Sequence, residues 1–136
     1  MTWDSILKVK PMAQKTLREL VHDEFKRQLG SDLPRRIFYY ERKATEALID
    51  RIKEEAVVVR EDSDMKTFRT TLNIRTPADH RRAVRNVRLS PSTALGSIRR
   101  NPVLADMFTL IPEILEEIVT DYINTEEFKT GSSRLP

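Results

Sequence analysis

The 136-residue chain contains no cysteine, which excludes disulfides, thiolate zinc sites and cysteine nucleophiles and leaves the redox compartment open. Its three glycines, Gly30, Gly96 and Gly131, are scattered, so a glycine-rich phosphate loop is ruled out. No apolar stretch approaches the roughly 20 residues of a membrane span, and none has the form of a signal segment. The expected setting is therefore a cytoplasm or an assembled particle, neither secreted nor membrane-bound. Aromatics make up 7% of the chain, and between residues 65 and 102 Phe68 stands alone.

What is present is apolar and charged in near balance, 39% hydrophobic and 33% charged. A chain of this length and composition can bury a core in one unit. We read one domain over residues 1–128, with an amphipathic N-terminal arm at 1–10 and a flexible tail at 129–136. The net charge of +3 conceals a strong polarity. Residues 1–64 hold 13 basic and 13 acidic side chains, residues 65–102 hold 9 and 1, and residues 103–136 hold 2 and 7, so the three parts carry 0, +8 and −5. Such asymmetry bears on partners rather than on fold.

The arm places Trp3, Ile6 and Leu7 at helical spacing before Pro11; Trp3 either folds back on its own core or anchors on a neighbouring chain. Leu17, Leu20, Val21 and Phe25 recur at three and four, and Gly30 stands where a helix ends, which predicts a helix over 12–29. Pro34 breaks the chain, and "IFYY" at 37–40 reads as a strand or as the first turn of a second helix over 42–55. "AVVVRE" and "MKTFRTTLNIR" are β-branched runs around the turn residues "DSD", predicting a hairpin over 56–75. Thr76, Pro77 and Asp79 form a capping-box-like start for a basic helix at 77–88. From Asn101-Pro102 a long apolar stripe predicts a helix over 102–124, kinked at Pro112. The expected fold class is α+β, with helices packed around a small antiparallel sheet.

Motifs for catalysis are sparse. Glu19 and His22 have the Glu-x-x-His spacing of di-iron bundles, but that chemistry needs the motif twice plus two more glutamates. "DSD" at 62–64 lacks the glycine and closing glutamate of a calcium loop. Asp64-Met65-Lys66 has the acid-x-lysine form of some metal-dependent nucleases, where the acid holds a divalent ion and the lysine supports the attacking water; the second aspartate which that pattern requires is absent from "AVVV". A nuclease stays a remote alternative. Ser90, Ser92 and Ser97 lack a nucleophile-elbow sequence and read as caps and loop formers. No cofactor, metal or small-molecule substrate is expected.

Arg81, Arg82, Arg85, Arg88, Arg99 and Arg100, continued by Arg69 and Arg75 on the wet face of the expected hairpin, would neutralise several phosphates. Without interleaved aromatics this segment lacks a single-strand stacking platform, so binding would be to the backbone. The competing reading is protein to protein, because Glu113, Glu116, Glu117 and Asp121 supply carboxylates for bidentate pairing with arginine. Between chains, such pairing gives a head-to-tail contact that builds rings when the rotation closes.

The opening Met1-Thr2-Trp3-Asp4-Ser5-Ile6-Leu7-Lys8 resembles the M-[ST]-W-x-x-I-L-K start of small uncharacterised proteins of marine bacteriophages and archaea. In layout, an amphipathic helix, a β-rich stretch containing "TTLNI" and a C-terminal helix are similar to head–tail connector and tail-completion proteins of tailed phages. The Arg block has no counterpart in that layout. The resemblance implies a virion component, found in the virion or the host cytoplasm. The leading expectation is thus a non-enzymatic assembly protein of the neck or tail-completion type, a homo-oligomer joined through its basic and acidic segments. A backbone-directed nucleic-acid-binding protein using residues 69–100 is the alternative.

Overall fold

Each of two threonines opens a helix by the same device. In the computed structural model, which describes residues 11–61 and 74–133, Thr16 Oγ1 accepts the Glu19 N–H at 3.1 Å while the Glu19 carboxylate accepts the Thr16 N–H at 3.0 Å. This reciprocal box satisfies donors that a helix start leaves unpaired. From it runs α1, Leu17–Leu29, ended by Gly30, whose φ of 66° is inexpensive only without a Cβ. The rest of the described chain forms α2 (Ile37–Glu61), α3 (Pro77–Asn86), α4 (Leu95–Arg100), α5 (Ile111–Ile123) and α6 (Glu126–Ser133), with 3-10 turns at Met12–Gln14 and Ala105–Met107. At α3 the predicted box is present. Thr76 Oγ1 accepts the Asp79 N–H at 3.1 Å, Asp79 accepts the Thr76 N–H at 3.2 Å, and Pro77 sits in the first turn.

The α+β expectation is overturned, because among the described residues there is no strand or sheet and a single antiparallel bridge joins Thr16 to Ala94. Residues 56–61, expected as the first strand of a hairpin, close α2 instead, and residues 37–40 form its first turn. Ala44, Leu48 and Ile52 are buried at four-residue steps and Ala56 continues the series at 4% exposure. That face packs against the protein's own core, whereas the helix penalty of β-branched residues is only some tenths of a kcal/mol each. Packing outweighs propensity here. The rest of the expected hairpin through residue 73, with Phe68 and Arg69, and the arm with Trp3 lie outside the described residues.

The kinked helix over 102–124 is corrected too. Asn101 Oδ1 accepts the Val103 N–H at 2.8 Å, but the chain then makes only the 3-10 turn before α5 begins at Ile111. Pro112 lies in the first turn of α5, where its missing N–H costs nothing, so the proline starts a helix rather than bending one. Residues 129–133, within the segment read as a tail, belong to α6.

The core is built by α1, α2 and α5, each packed on the other two. Leu17, Val21 and Phe25 meet Ala44, Leu48 and Ile52 and, from α5, Ile111, Leu115 and Val119, all buried. α3 lies along α2 and buries Val84, while Leu95 and Ile98 of α4 extend the core. At one end Phe25, Tyr40, Tyr122 and Phe128 form an aromatic cluster, with the closest rings, those of Tyr40 and Phe128, 4.9 Å apart. Phe128 thereby docks α6.

Candidate functional site

The loop between α3 and α4 is held where it can shape a surface. The unpaired N–H groups at the start of α1 are satisfied from it, Leu17 donating to the Thr93 carbonyl and Arg18 to the Pro91 carbonyl, each at 3.0 Å. The loop is also tied by the Leu95 N–H to the Lys15 carbonyl at 2.9 Å and by the Ser90 N–H to Thr93 Oγ1 at 2.9 Å. Ser90 and Thr93 therefore act as loop formers.

A cleft opens on each side of this loop, and both run against α2. One, of about 390 Å³, is lined by Arg18, Phe38, Tyr39, Arg42, Thr45 and Pro91. The other, of about 690 Å³, is lined by Lys53 and by the chain from Arg85 to Ser90. At 3.6 residues per turn, positions 38, 42, 45 and 53 share one stripe of α2. Both clefts therefore border that stripe, with Pro91 lining the first and Ser90 the second, and together we call them the groove.

No acidic residue lines either half. Among the described residues Arg18, Arg42, Lys53, Arg85 and Arg88 make no ion pair. Lys53 Nζ instead donates to the Arg85 carbonyl at 3.3 Å, at the negative end of α3. The first half adds aromatic surface to this charge. Phe38 is 65% exposed, and the Arg18 guanidinium carbon lies 5.6 Å from its ring centre. Around the Tyr39 ring stand Arg36 at 4.4 Å, Arg42 at 5.6 Å and the Lys43 amine at 5.5 Å.

Of the arginines singled out in the sequence, Arg85 and Arg88 enter the groove. Arg82 pairs with Asp79 at 3.4 Å, Arg81 is exposed on α3, and Arg75 is exposed just before it. The backbone N–H of Arg75 and the capping contacts of Thr76 hold the Asp79 carboxyl below its ordinary value, with Arg82 adding to the effect. Arg99 and Arg100 sit exposed at the end of α4, Arg99 with its guanidinium 5.3 Å from the Phe108 ring centre. The block is thus divided, and Arg69 lies outside the described residues.

Two acids of the C-terminal segment pair with arginines outside this block. Glu117 is held by Arg51, with contacts of 3.1 and 3.3 Å, and Glu116 lies 3.7 Å from Arg27. The Glu117 and Glu55 carboxylates raise the Arg51 pKa, and Arg27, mainly by hydrogen bonding, lowers that of Glu24. Glu113 and Asp121 are exposed and make no ion pair among the described residues.

Arg18, Phe38, Tyr39, Arg42 and Lys53 are the groove residues that sequence reasoning missed. For Phe38, Tyr39 and Arg42 the signal was the stretch "RRIFYYERK" at 35–43, where cations flank a run of aromatics; Arg18 and Lys53 lie outside it. That stretch lies more than 40 positions before Arg85, and only the packing of α3 on α2 brings them to one face.

The residues considered for catalysis separate. Glu19 is used in its capping box, whereas His22 Nδ1 meets Glu41 Oε1 of α2. Among the described residues no group of three or more His, Cys, Asp and Glu side chains is placed to hold a metal ion, and no helix is long and apolar enough to cross a membrane. Asp64-Met65-Lys66 lies outside the described residues. In comparisons with protein-family models, curated proteins and solved structures, none matches this chain.

Proposed function

We propose that this chain is a non-enzymatic nucleic-acid-binding protein that grips a phosphate backbone along the groove beside α2. The observation that carries this reading is the set Lys53, Arg85 and Arg88 in one cleft with Arg18 and Arg42 in the next, none of them ion-paired among the described residues. A carboxylate-binding surface inside the same molecule would have drawn in the acids of α5, yet Glu116 and Glu117 use Arg27 and Arg51, and Glu113 and Asp121 pair with none of the groove cations. Titration with unrelated DNA and RNA across a salt series tests the reading. Affinity should fall steeply with salt, and Arg85→Ala with Arg88→Ala should reduce the logarithmic salt slope on duplex DNA by about 2. Absence of binding at low salt would remove the reading.

A second reading keeps the protein as an assembly component, in the virion or host cytoplasm as its opening residues imply. It is favoured by Arg99 and Arg100 at the end of α4 and by Glu113 and Asp121 on α5, all exposed and without ion-pair partners among the described residues. Such charges set register and partner choice more than stability. Light scattering at low and high salt tests it, and a monomer under both conditions would sink it for the isolated protein.

A further inference from the structure

We infer that the groove takes an unpaired nucleic-acid strand, with Phe38 as the platform on which a base stacks; this rests on the nucleic-acid reading above. A lone exposed phenylalanine needs no explanation. Phe38 is different in place, because it lines a cleft together with Arg18 and Arg42 and keeps 65% of its surface in solvent. A duplex would present that ring only with a sugar–phosphate edge, whereas a single strand offers the π-face of a base beside each phosphate.

The spacing fits a strand. From Phe38 to Lys53 the α2 stripe covers about 22 Å at 1.5 Å per residue. That length spans roughly six phosphates at 3.4 Å each, and fewer in an extended strand. Arg18 and Arg42 would hold the phosphates flanking the stacked base, and Lys53, Arg85 and Arg88 those farther along. Because every base has a π-face and the groove walls carry only cationic, hydroxyl and apolar side chains beyond Asn86 and Tyr39, sequence preference should be weak. Acidic peptides satisfy the cations but leave Phe38 without a stacking partner.

The test uses the full chain with fluorescein-labelled oligo-dT and oligo-rU of 12 nucleotides and a 12-base-pair duplex, read by anisotropy at low salt. Phe38→Ala should weaken both single strands about tenfold and leave the duplex within about twofold, while Phe38→Trp should restore single-strand binding. Single-strand binding unchanged in Phe38→Ala would overturn the inference, and so would equal losses on strand and duplex. Polyglutamate that displaces oligo-dT as effectively as unlabelled oligo-dT would also overturn it, by pointing to an acidic protein segment. Failure of the wild-type chain to bind any probe removes the nucleic-acid reading itself, whereas a loss on every probe in Arg85→Ala/Arg88→Ala with no effect of Phe38→Ala leaves that reading standing without the strand preference.

Discussion

His22 on α1 places its Nδ1 against Oε1 of Glu41 on α2, joining a half-exposed ring to a carboxylate whose side chain is only 2% exposed. Such a carboxylate loses most of its hydration on folding and depends on the groups that remain. His22→Ala should therefore destabilise the chain by about 2 kcal/mol, the lower part of the range for an ionised group because water can enter where the ring stood. Glu41→Gln keeps a hydrogen-bonding side chain without the charge and should cost less. Urea unfolding of both variants checks the order; equal costs would show that shape rather than the buried charge matters here.

Two carboxylates tie stability to pH. Asp79 is held down first by the Arg75 N–H, and Glu24 is held down first by its hydrogen bond to Arg27. Folded values below the unfolded ones mean that their contribution is fully present above the unfolded values and is lost as pH falls through the folded ones. Thermal stability should thus decline below about pH 4, starting near the ordinary carboxylate range. Asp79→Asn should make that decline shallower, measured as Tm between pH 6 and pH 2.5. A parallel decline would mean that the cap keeps its strength when protonated.

The cap around Asp79 was legible in the sequence because everything it needs lies within four residues, Thr76 through Asp79, and the same holds for Gly30 at the end of α1. The run from Ala56 to Val59 was misread for the opposite reason. Its β-branched composition is local, while the face that buries Ala56 is shared with Ala44, Leu48 and Ile52 and is fixed by packing with other elements. Half of the groove was visible as Arg85 and Arg88. Its other half needed the α2–α3 contact, since nothing in the basic segment announces that Phe38 and Arg18 will lie beside it. Pro112 was recognised as an interruption, yet a proline interrupts equally by bending a helix or by beginning one, and the turn at Ala105–Met107 decides for the second.

Docking of α6 rests on a close approach that tolerates no added atom. A Cβ built on Gly131 would stand 1.8 Å from Tyr40 Oη, and that buried hydroxyl has no hydrogen-bond partner among the described residues. Gly131→Ala should cost about 1–3 kcal/mol as α6 is pushed away. Removing the hydroxyl relieves the clash, so Tyr40→Phe should be near neutral alone and should recover much of the loss in the double variant. Additive effects in that cycle would show that the two groups do not meet. Nearby, burial foremost and the Glu127 carboxylate next raise the Tyr122 phenol above the ordinary tyrosine value.

The strongest check on the fold lies at two residues that a strand would treat alike. In a strand, Ala56 and Val58 point to the same face because side chains alternate with a period of 2. Along α2 they do not, and Ala56 is 4% exposed while Val58 is 52% exposed. A charge at position 56 would enter the helix core unpaired, so Ala56→Asp should destabilise by about 3 kcal/mol or more. Val58→Glu meets solvent and replaces a β-branched residue by a better helix former, so it should be neutral or gain a few tenths of a kcal/mol. Urea unfolding followed by circular dichroism at 222 nm measures both. Matching losses at 56 and 58 would return this segment to a strand, whereas the unequal pair establishes that the four-residue series from Ala44 runs on through Ala56.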